Sequence, residues 1–264
     1  MALCLLPIAA VQASTVQRSF TPRFETTARG DLLMIGNTLS TCPDTNANCA
    51  GARAGTATPA SALNNNAYNM AWTNSDSVTV APANSSTATL TIPGGSTVLF
   101  AGLYWGADTS AGTGGSAAPT PANRGVVRFA TPASGYATTT ASTIDVIGST
   151  RYSAFADVTS RVQAGGSGVY KVSGIQAGRG EDRYAGWALV VVIGNPGLSP
   201  RNMVVFDGYA TINTSNPSSI TTTVSGFRTP LAGPVTTRVG AVAYEGDRGS
   251  GGDSLRLNST VLSN

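Results

Sequence analysis

The acidic residues near the end of the sequence are the first candidates for chemistry in this chain. Glu245, Asp247 and Asp253 lie on the Gly-rich stretch YEGDRGSGGDSL. Carboxylate oxygens on a flexible backbone are ligands that Ca²⁺ accepts in proteins. The spacing does not match an EF-hand loop, and a turn in which Gly allows positive φ and Asp caps the backbone explains the same residues. Calcium is therefore the only cofactor that the sequence suggests.

Histidine is absent from all 264 residues, which limits the enzyme chemistry open to the chain. Without histidine, no Ser-His-Asp triad, Cys-His pair or His-bearing metal centre can form. Paired carboxylates hydrolyse glycosidic bonds in many enzymes, but only when they face each other across the substrate. The candidates are Glu181, Asp182, Asp207 and Glu245. Their sequence positions do not show which of them face each other, and we expect a protein that is not an enzyme.

An aromatic pair is the second candidate for ligand binding. Tyr104 and Trp105 end the apolar run TVLFAGLYW and precede a Gly-, Ser- and Ala-rich segment from Ala107 to Arg124. Aromatic rings exposed on a β-sandwich can stack on sugar rings, whereas aromatics inside apolar runs usually pack in the core. We expect Trp187, within WALVVVI, to be a core residue, and we take Tyr104 and Trp105 as the candidate ligand face.

Two cysteines bracket a short stretch with the composition of a turn. Cys42 and Cys49 flank Pro, Asp and Asn residues in TCPDTNANCAG. A disulfide is the first interpretation, and closing so short a loop would contribute about 2 to 3 kcal/mol. A pair of metal ligands is the alternative, but the chain has neither histidine nor a second cysteine pair to complete a zinc site.

Two isolated features each allow two interpretations. Lys171 is the only lysine, and surface β domains sometimes join a lysine to an asparagine side chain near a buried carboxylate; the alternative is an outward-facing strand residue. Arg29, Gly30 and Asp31 form the tripeptide that animal integrins bind. Because they run directly into the apolar segment LLMIGNTL, we expect a turn that starts a strand, with Gly30 in an unusual backbone conformation and Asp31 as its cap.

The N-terminal segment predicts export. MALCLLPIAAVQAST is apolar and ends in small residues, with Val11 and Ala13 suited to a signal-peptidase site, although the usual basic start is missing. We therefore expect a signal peptide over residues 1–13 and a secreted mature chain from 14 onward. No later segment supplies about 20 unbroken apolar residues, so we expect no membrane span in the mature chain. A scattered net charge of +3 argues against nucleic acid as a partner.

Composition predicts an all-β fold. Short apolar runs alternate with turns rich in the 31 glycines and 14 prolines, and only 11% of residues are charged. We expect a β-sandwich of jelly-roll type, forming one domain over residues 14–264. SITTTVSGF and TRVGAVAYEGD are among the predicted strands, and ADVTSRVQAGG is the one predicted helical turn. Two Gly-, Ser- and Ala-rich stretches, 50–66 and 107–124, are predicted to be long surface loops.

Several segments together resemble one family of proteins. They are ARGDLLMIGNTL, STVLFAGLYWGADTS, YSAFADVTSRVQAGGSGVYKV, GEDRYAGWALVVVIGNP, NMVVFDGYATI and VGAVAYEGDRGSGGDSLRLN. Their order resembles the N-terminal β-rich module of large secreted bacterial surface proteins that are adhesin-like and bear conserved repeats. The resemblance implies a surface-exposed β domain with no assigned enzymatic activity. The sequence ends at LNSTVLSN without such repeats, so we expect either a fragment or a module held by partners.

Two functional hypotheses follow. The first is a structural or adhesive module of the bacterial cell surface, whose partners are other surface subunits or glycans. Thr-rich strands with a single lysine favour edge pairing into a homo-oligomer or filament, because edge lysines normally prevent it. The second is a carbohydrate-binding module with Tyr104 and Trp105 as its aromatic face and calcium as its ion.

Overall fold

The computed structural model describes residues 14–213, 217–229 and 231–262, which are mainly β-strands. The predicted signal peptide, residues 1–13, lies outside the described residues. The strands are β1 (Thr15–Thr38), β2 (Ser40–Thr41), β3 (Ala71–Trp72), β4 (Ser85–Leu90), β5 (Thr97–Asp108), β6 (Val126–Thr131), β7 (Ser134–Thr140), β8 (Thr143–Ile147), β9 (Arg151–Asp157), β10 (Gly168–Ser173), β11 (Ala185–Gly194), β12 (Pro200–Thr211), β13 (Arg256–Leu257) and β14 (Thr260–Val261). The helices are α1 (Cys49–Ala54) and α2 (Thr159–Gly165), with 3₁₀ turns at Ala60–Leu63, Asn65–Ala67 and Pro121–Asn123. Helix α2 is the helical turn that the sequence predicts.

Contacts divide the chain into two compact units, whereas the sequence predicts one domain over 14–264. The smaller unit holds the described residues up to 28 together with residues 200–235. The larger unit holds residues 29–199 and the described residues from 236 onward. Strand β1 contributes to both because it is 24 residues long: its first part pairs with β12 and its second part with β11.

The larger unit is an antiparallel β-sandwich, which confirms the predicted all-β sandwich. One sheet has the order β1-β11-β5-β9-β8, and the other has the order β4-β10-β6-β7. Apolar side chains from both sheets form one buried core. Its largest members are Trp105, Phe129, Tyr152, Tyr170 and Trp187.

Strands β5 and β11 form the centre of the first sheet. Both are nearly continuous apolar runs, as expected for strands covered on both faces. Trp105 and Trp187 lie directly opposite each other in the ladder, and both rings enter the core. The Trp187 indole nitrogen donates to Ser86 Oγ at 2.8 Å, so its buried polar atom is satisfied by the facing sheet. The predicted core position of Trp187 is confirmed.

Asn84 fixes the start of the second sheet from inside the core. Its side chain is fully buried, and its Nδ2 donates to the carbonyl of Ile175 at 2.8 Å. Its Oδ1 accepts from the backbone N–H groups of Gly174 and Ile175, at 2.9 and 3.1 Å. One amide therefore satisfies three backbone groups of the segment after β10, which would otherwise be buried without partners.

The disulfide between Cys42 and Cys49 is present, with the two Cα atoms 5.6 Å apart. Both cysteines are buried and pack with Tyr68 in a small apolar cluster separate from the main core. The Tyr68 hydroxyl donates to the carbonyl of Ala62 at 2.6 Å. The disulfide thus anchors α1 and the residues after it, a stretch that the sequence predicts to be a surface loop.

In the smaller unit, a buried carboxylate holds β12 against the first part of β1. Asp207 is 6% exposed and accepts hydrogen bonds from Arg18 Nη2 at 2.6 Å and Arg23 Nε at 2.8 Å. Two guanidinium groups compensate one buried negative charge, which is the arrangement that burial of a carboxylate requires. Asp207 is thereby explained as a structural ion pair.

The segment 107–124, predicted to be a long surface loop, is largely exposed from residue 111 onward and is held by close packing against residues 179–181. The backbone N–H of Gly112 donates to the carbonyl of Arg179 at 2.9 Å, and Arg179 N–H donates to Ser116 at 2.8 Å. A Cβ atom at Gly115 would overlap the carbonyl of Arg179. The glycines are therefore required because two backbones approach each other closely.

Two segments predicted as strands, SITTTVSGF and TRVGAVAYEGD, belong to no strand in the structure. Their β-branched residues favour strand conformation, but a strand also needs a neighbour that supplies hydrogen bonds. The part of the chain that the structure describes supplies none beside them. These two predictions are wrong because a β-branched composition does not show whether a neighbouring strand is available for pairing.

We expect Asn84→Ala to lower the free energy of unfolding by about 2 to 4 kcal/mol, because it leaves buried backbone groups without partners. Equilibrium chemical denaturation measures the change. Asn123→Ala, the same substitution at an exposed position, is the matched control and should change stability by less than about 0.5 kcal/mol. Equal stability of the two variants would contradict the role assigned to Asn84.

We expect replacement of Cys42 and Cys49 by Ser to cost about 2 to 3 kcal/mol of unfolding free energy, since the unfolded chain regains the entropy of an open loop. The chain from Ser14 onward is denatured with and without a reductant. Reductant should destabilise the parent chain to the level of the double variant and leave the double variant unchanged. A parent chain insensitive to reductant would show that the crosslink does not stabilise it.

Candidate functional site

Of the two residues predicted to form an aromatic ligand face, Trp105 is buried and Tyr104 is partly exposed. Trp105 is 0% exposed, and its indole nitrogen donates to the carbonyl of Arg124 at 2.9 Å. A sugar cannot stack on this ring, so its assignment to a ligand face is wrong; side chains alternate along β5, and Trp105 points into the core. Tyr104 points to the outer face and is half-buried against Phe155, with ring centroids 5.0 Å apart.

The acidic residues predicted to bind calcium lie near one another without forming a ligand set. Among the described residues, no three Asp, Glu or Cys side chains are grouped so that they could hold a metal ion. Asp247 Oδ1 accepts a hydrogen bond from the backbone N–H of Asn65 at 3.3 Å, which uses one of the oxygens. Calcium binding stays a prediction.

Glu245 has the most perturbed environment of this acidic group. Partial burial of its carboxyl raises the pKa of Glu245, and the negative charges of Asp247 and Asp182 raise it further, while Arg151 opposes them. The residue as a whole is exposed, so solvent weakens these effects. Glu245 also has φ of 63°, a left-handed conformation that is uncommon for any residue other than glycine.

A buried ion pair lies beside this group and was not predicted. Asp108 is 3% exposed and accepts hydrogen bonds from Arg183 Nη1 at 2.8 Å and from Ser110 Oγ at 2.7 Å. Burial alone would raise the pKa of Asp108, but the hydrogen bonds from Ser110 and the charge of Arg183 outweigh it, so the pKa is lowered. The stretch from Arg179 to Arg183 resembles a solvated hairpin tip in sequence, yet the Arg183 side chain is only 12% exposed.

Lys171 and the Arg29-Gly30-Asp31 tripeptide both take structural roles. Lys171 Nζ lies 2.7 Å from Asp76 Oδ1, so the contact is with a carboxylate and not with an asparagine. Gly30 is buried within β1 and lies opposite Gly194, and Asp31 forms an ion pair with Arg238 at 3.0 Å. The predicted turn is wrong because strand β1 continues through the tripeptide, and its ladder with β11 begins at Gly30.

A groove of about 880 Å³ lies along the β1 and β11 part of the first sheet, within the larger unit. Strands β1 and β11 form its floor. Its other lining residues come from the disulfide region, residues 63–70, residues 241–246 and β4 of the facing sheet. We call it the outer groove. Its floor is low because Gly36 and Gly186 carry no side chain there. The Tyr244 ring packs against Gly106 of β5, where the absence of a side chain leaves room for the ring. Tyr104 is opposite Ala188, a floor residue, on the same face.

Two residues of the outer groove each hold a buried polar atom that has no hydrogen-bond partner among the described residues. The atoms are Ser40 Oγ, in a residue that is 6% exposed, and Asn65 Oδ1. Neither residue stands out in the sequence. Glycines inside apolar strands, such as Gly36 in LLMIGNTL and Gly186 in YAGWALVVVIGNP, are the one sequence signal of a low surface above the sheet.

Strand β8 is an edge of the same sheet and carries exposed apolar residues. Within the described part of the chain, β9 is its only neighbour. Ile144 lies opposite Ala154, and Val146 lies opposite Tyr152, so both share a face with buried core residues. They are nevertheless 45% and 42% exposed. The core therefore opens to solvent along this edge.

Comparison with known proteins gives no match: no family model, no curated protein and no solved structure is similar to the chain. No helix in the described ranges has both the length and the apolar composition needed to cross a bilayer. The outer groove and the β8 edge are therefore the two candidate sites.

We expect Glu245→Gln to raise stability at about pH 7 and to have little effect at about pH 3, because the raised folded-state pKa penalises only the ionised carboxylate. The penalty is absent below the ordinary pKa of Glu and sets in as the pH rises through the raised value. Screening keeps the gain below about 1 kcal/mol. Thermal denaturation across this range measures it.

Glu181→Gln, which removes an exposed carboxylate, is the matched control for this substitution and should leave stability at about pH 7 within about 0.5 kcal/mol of the parent. A loss of stability in Glu245→Gln at neutral pH would contradict the assignment, since it would mean that the ionised carboxylate makes a favourable contact.

Proposed function

We propose that this chain is a secreted structural or adhesive module of the bacterial cell surface that joins other subunits by strand addition at β8. The disulfide supports export, because structural disulfides form and persist in oxidising compartments. The all-β sandwich agrees with the surface-module resemblance in the sequence. The observation that carries the assembly part of the proposal is the exposed apolar edge at Ile144 and Val146.

An added strand would complete the sandwich at this edge. A peptide that pairs with β8 gains main-chain hydrogen bonds, and its alternate side chains cover Ile144 and Val146. The edge lacks the usual protection against such pairing. The sequence of β8, TIDVI, contains no lysine and no proline, and its ladder with β9 shows no bulge. Asp145 is the only charged residue in the strand.

The same chain offers a segment suited to this edge, so we commit to a second copy as the occupant. Residues 219–224, SITTTV, are mostly exposed and belong to no strand in the structure. Ile220 and Val224 would lie on one face of an added strand, because side chains alternate. The segment carries no charge that would repel Asp145. Repeating the donation from copy to copy would produce a filament.

We expect Val146→Lys to block assembly of the chain from Ser14 onward, because an edge lysine would have to be buried by the incoming strand. Val169→Lys is the matched control: Val169 is 45% exposed, close to the 42% of Val146, but its strand β10 already has neighbours on both sides. Light scattering gives the mass as a function of concentration, and negative-stain microscopy shows whether oligomers are ordered.

The parent chain and Val169→Lys should both form oligomers or filaments, whereas Val146→Lys should stay monomeric. A parent chain that is monomeric at every concentration would overturn the assembly proposal. Equal assembly of all three proteins would show that another surface is responsible.

A further inference from the structure

We propose that residues 236–246 form a strap that detaches from the first sheet, opening from Arg238 and pivoting at Gly246. We call these residues the strap. Residues 241–246 of the strap line the outer groove, so detachment would widen the groove. The strap lies apart from the β8 edge in sequence and in its contacts, and the proposal does not depend on strand addition there.

The backbone of the strap is not held by hydrogen bonds. Residues 236–243 belong to no helix or strand, and every one of them is exposed. Their backbone forms no hydrogen bond with the backbone of any other described residue. Segments with few buried contacts and no backbone pairing open at a low cost in free energy. Side-chain contacts must therefore hold the strap in place.

The anchor at the Arg238 end is weak. Arg238 Nη1 lies 3.0 Å from Asp31 Oδ2 of β1, and the Arg238 side chain is 71% exposed. Gly240 lies beside the Met34 side chain, since a Cβ atom at Gly240 would be 2.5 Å from Met34 Sδ. An exposed ion pair shifts an equilibrium by only about twofold to fivefold. Opening therefore begins at this end.

A strained residue and a hinge lie at the other end of the strap. Glu245 has φ of 63°, which is unfavourable for residues other than glycine. Its neighbour Tyr244 packs its ring against Gly106 of β5. Release of the ring from Gly106 would let the Glu245 backbone relax. Gly246 has no heavy atom within 4 Å of the position of a Cβ atom, so its dihedral angles can change without a clash.

Beyond Gly246 the chain is clamped to the region that the disulfide anchors. The backbone N–H of Gly249 donates to Asn64 Oδ1 at 2.6 Å, and the backbone N–H of Asn65 donates to Asp247 Oδ1 at 3.3 Å. These contacts hold residues 247–249 while the Arg238 end is released. The strap therefore swings about Gly246 and does not leave as one piece with the residues that follow.

Opening of the strap changes the accessible surface of the central strands. Ala188 of β11 lies in the groove floor and is opposite Tyr104 of β5. With Tyr244 lifted from Gly106, the floor at Ala188 would continue onto β5. The strap thus controls the width of the outer groove.

Native-state proteolysis with chymotrypsin tests the proposal, because the protease can bind the Tyr244 ring only after the ring leaves Gly106. The rate of cleavage after Tyr244, followed by mass spectrometry on the chain from Ser14 onward, tracks the population of the open form. Arg238→Asp should raise this rate about three- to tenfold, since repulsion from Asp31 replaces attraction. Adding Asp31→Arg restores the pair in reverse and should return the rate to within about twofold of the parent.

Two controls separate opening of the strap from other effects. Arg256→Asp makes the same charge change at an exposed position outside the strap and should be cleaved like the parent. Phe227 is 51% exposed and also lies outside the strap, so cleavage after it is the internal reference and should not differ among the variants. Chemical denaturation shows that each variant is folded.

A covalent lock supplies the opposite test. Met34→Cys and Gly240→Cys, joined by a short bismaleimide, should suppress cleavage after Tyr244 and leave cleavage after Phe227 unchanged. Undiminished cleavage after Tyr244 in the locked chain would overturn the proposal, because the site would be reached without opening. Equal rates in the parent, Arg238→Asp and the double variant would overturn it as well. So would an Arg238→Asp chain that is cleaved after Phe227 and not after Tyr244.

Discussion

The pairing of β5 with β11 is the interaction on which the rest of the larger unit depends. These strands are central in their sheet, and their ladder extends from Ala185 and Ala107 to Gly194 and Thr97. Its inner face delivers the two tryptophans to the core, and its outer face forms part of the surface beneath the groove. A shift of one residue in this register would exchange the two faces and lose both features at once.

Much of the fold could be predicted because local pattern determines it. TVLFAGLYW and WALVVVI are apolar enough to be covered on both faces, and Cys42 and Cys49 are close enough to pair. The continuous apolar run that correctly predicts strand β5 is also the reason why the face occupied by Trp105 is predicted wrongly. A run that is apolar on both faces does not show which side chains meet the core, and only the pairing of β5 with its neighbours decides that. The tripeptide at Arg29 was misjudged because a strand can continue through glycine.

The outer groove could not be predicted, because its parts are distant in sequence. Ser40 follows β1, Asn65 lies in a 3₁₀ turn, and Glu245 comes from a segment that was expected to be a strand. A hydroxyl without a partner is a property of packing, which no local pattern of residues contains. The buried pair of Asp108 and Arg183 was missed similarly, since 75 residues separate them. The glycines of β1, β5 and β11 are evident in the sequence, but only the strand pairing shows which face of the sheet each of them occupies.

These glycines have a further consequence for how such a surface changes through evolution. A Cβ atom at Gly36 would overlap the carbonyl of Trp187, and one at Gly106 would lie 2.7 Å from the carbonyl of Tyr152. A mutation that adds a side chain at Gly36 or Gly106 therefore displaces the backbone of a neighbouring strand, in addition to changing the surface above the sheet. Purifying selection for folding alone would keep the floor of the groove bare, while residues on the walls remain free to diversify.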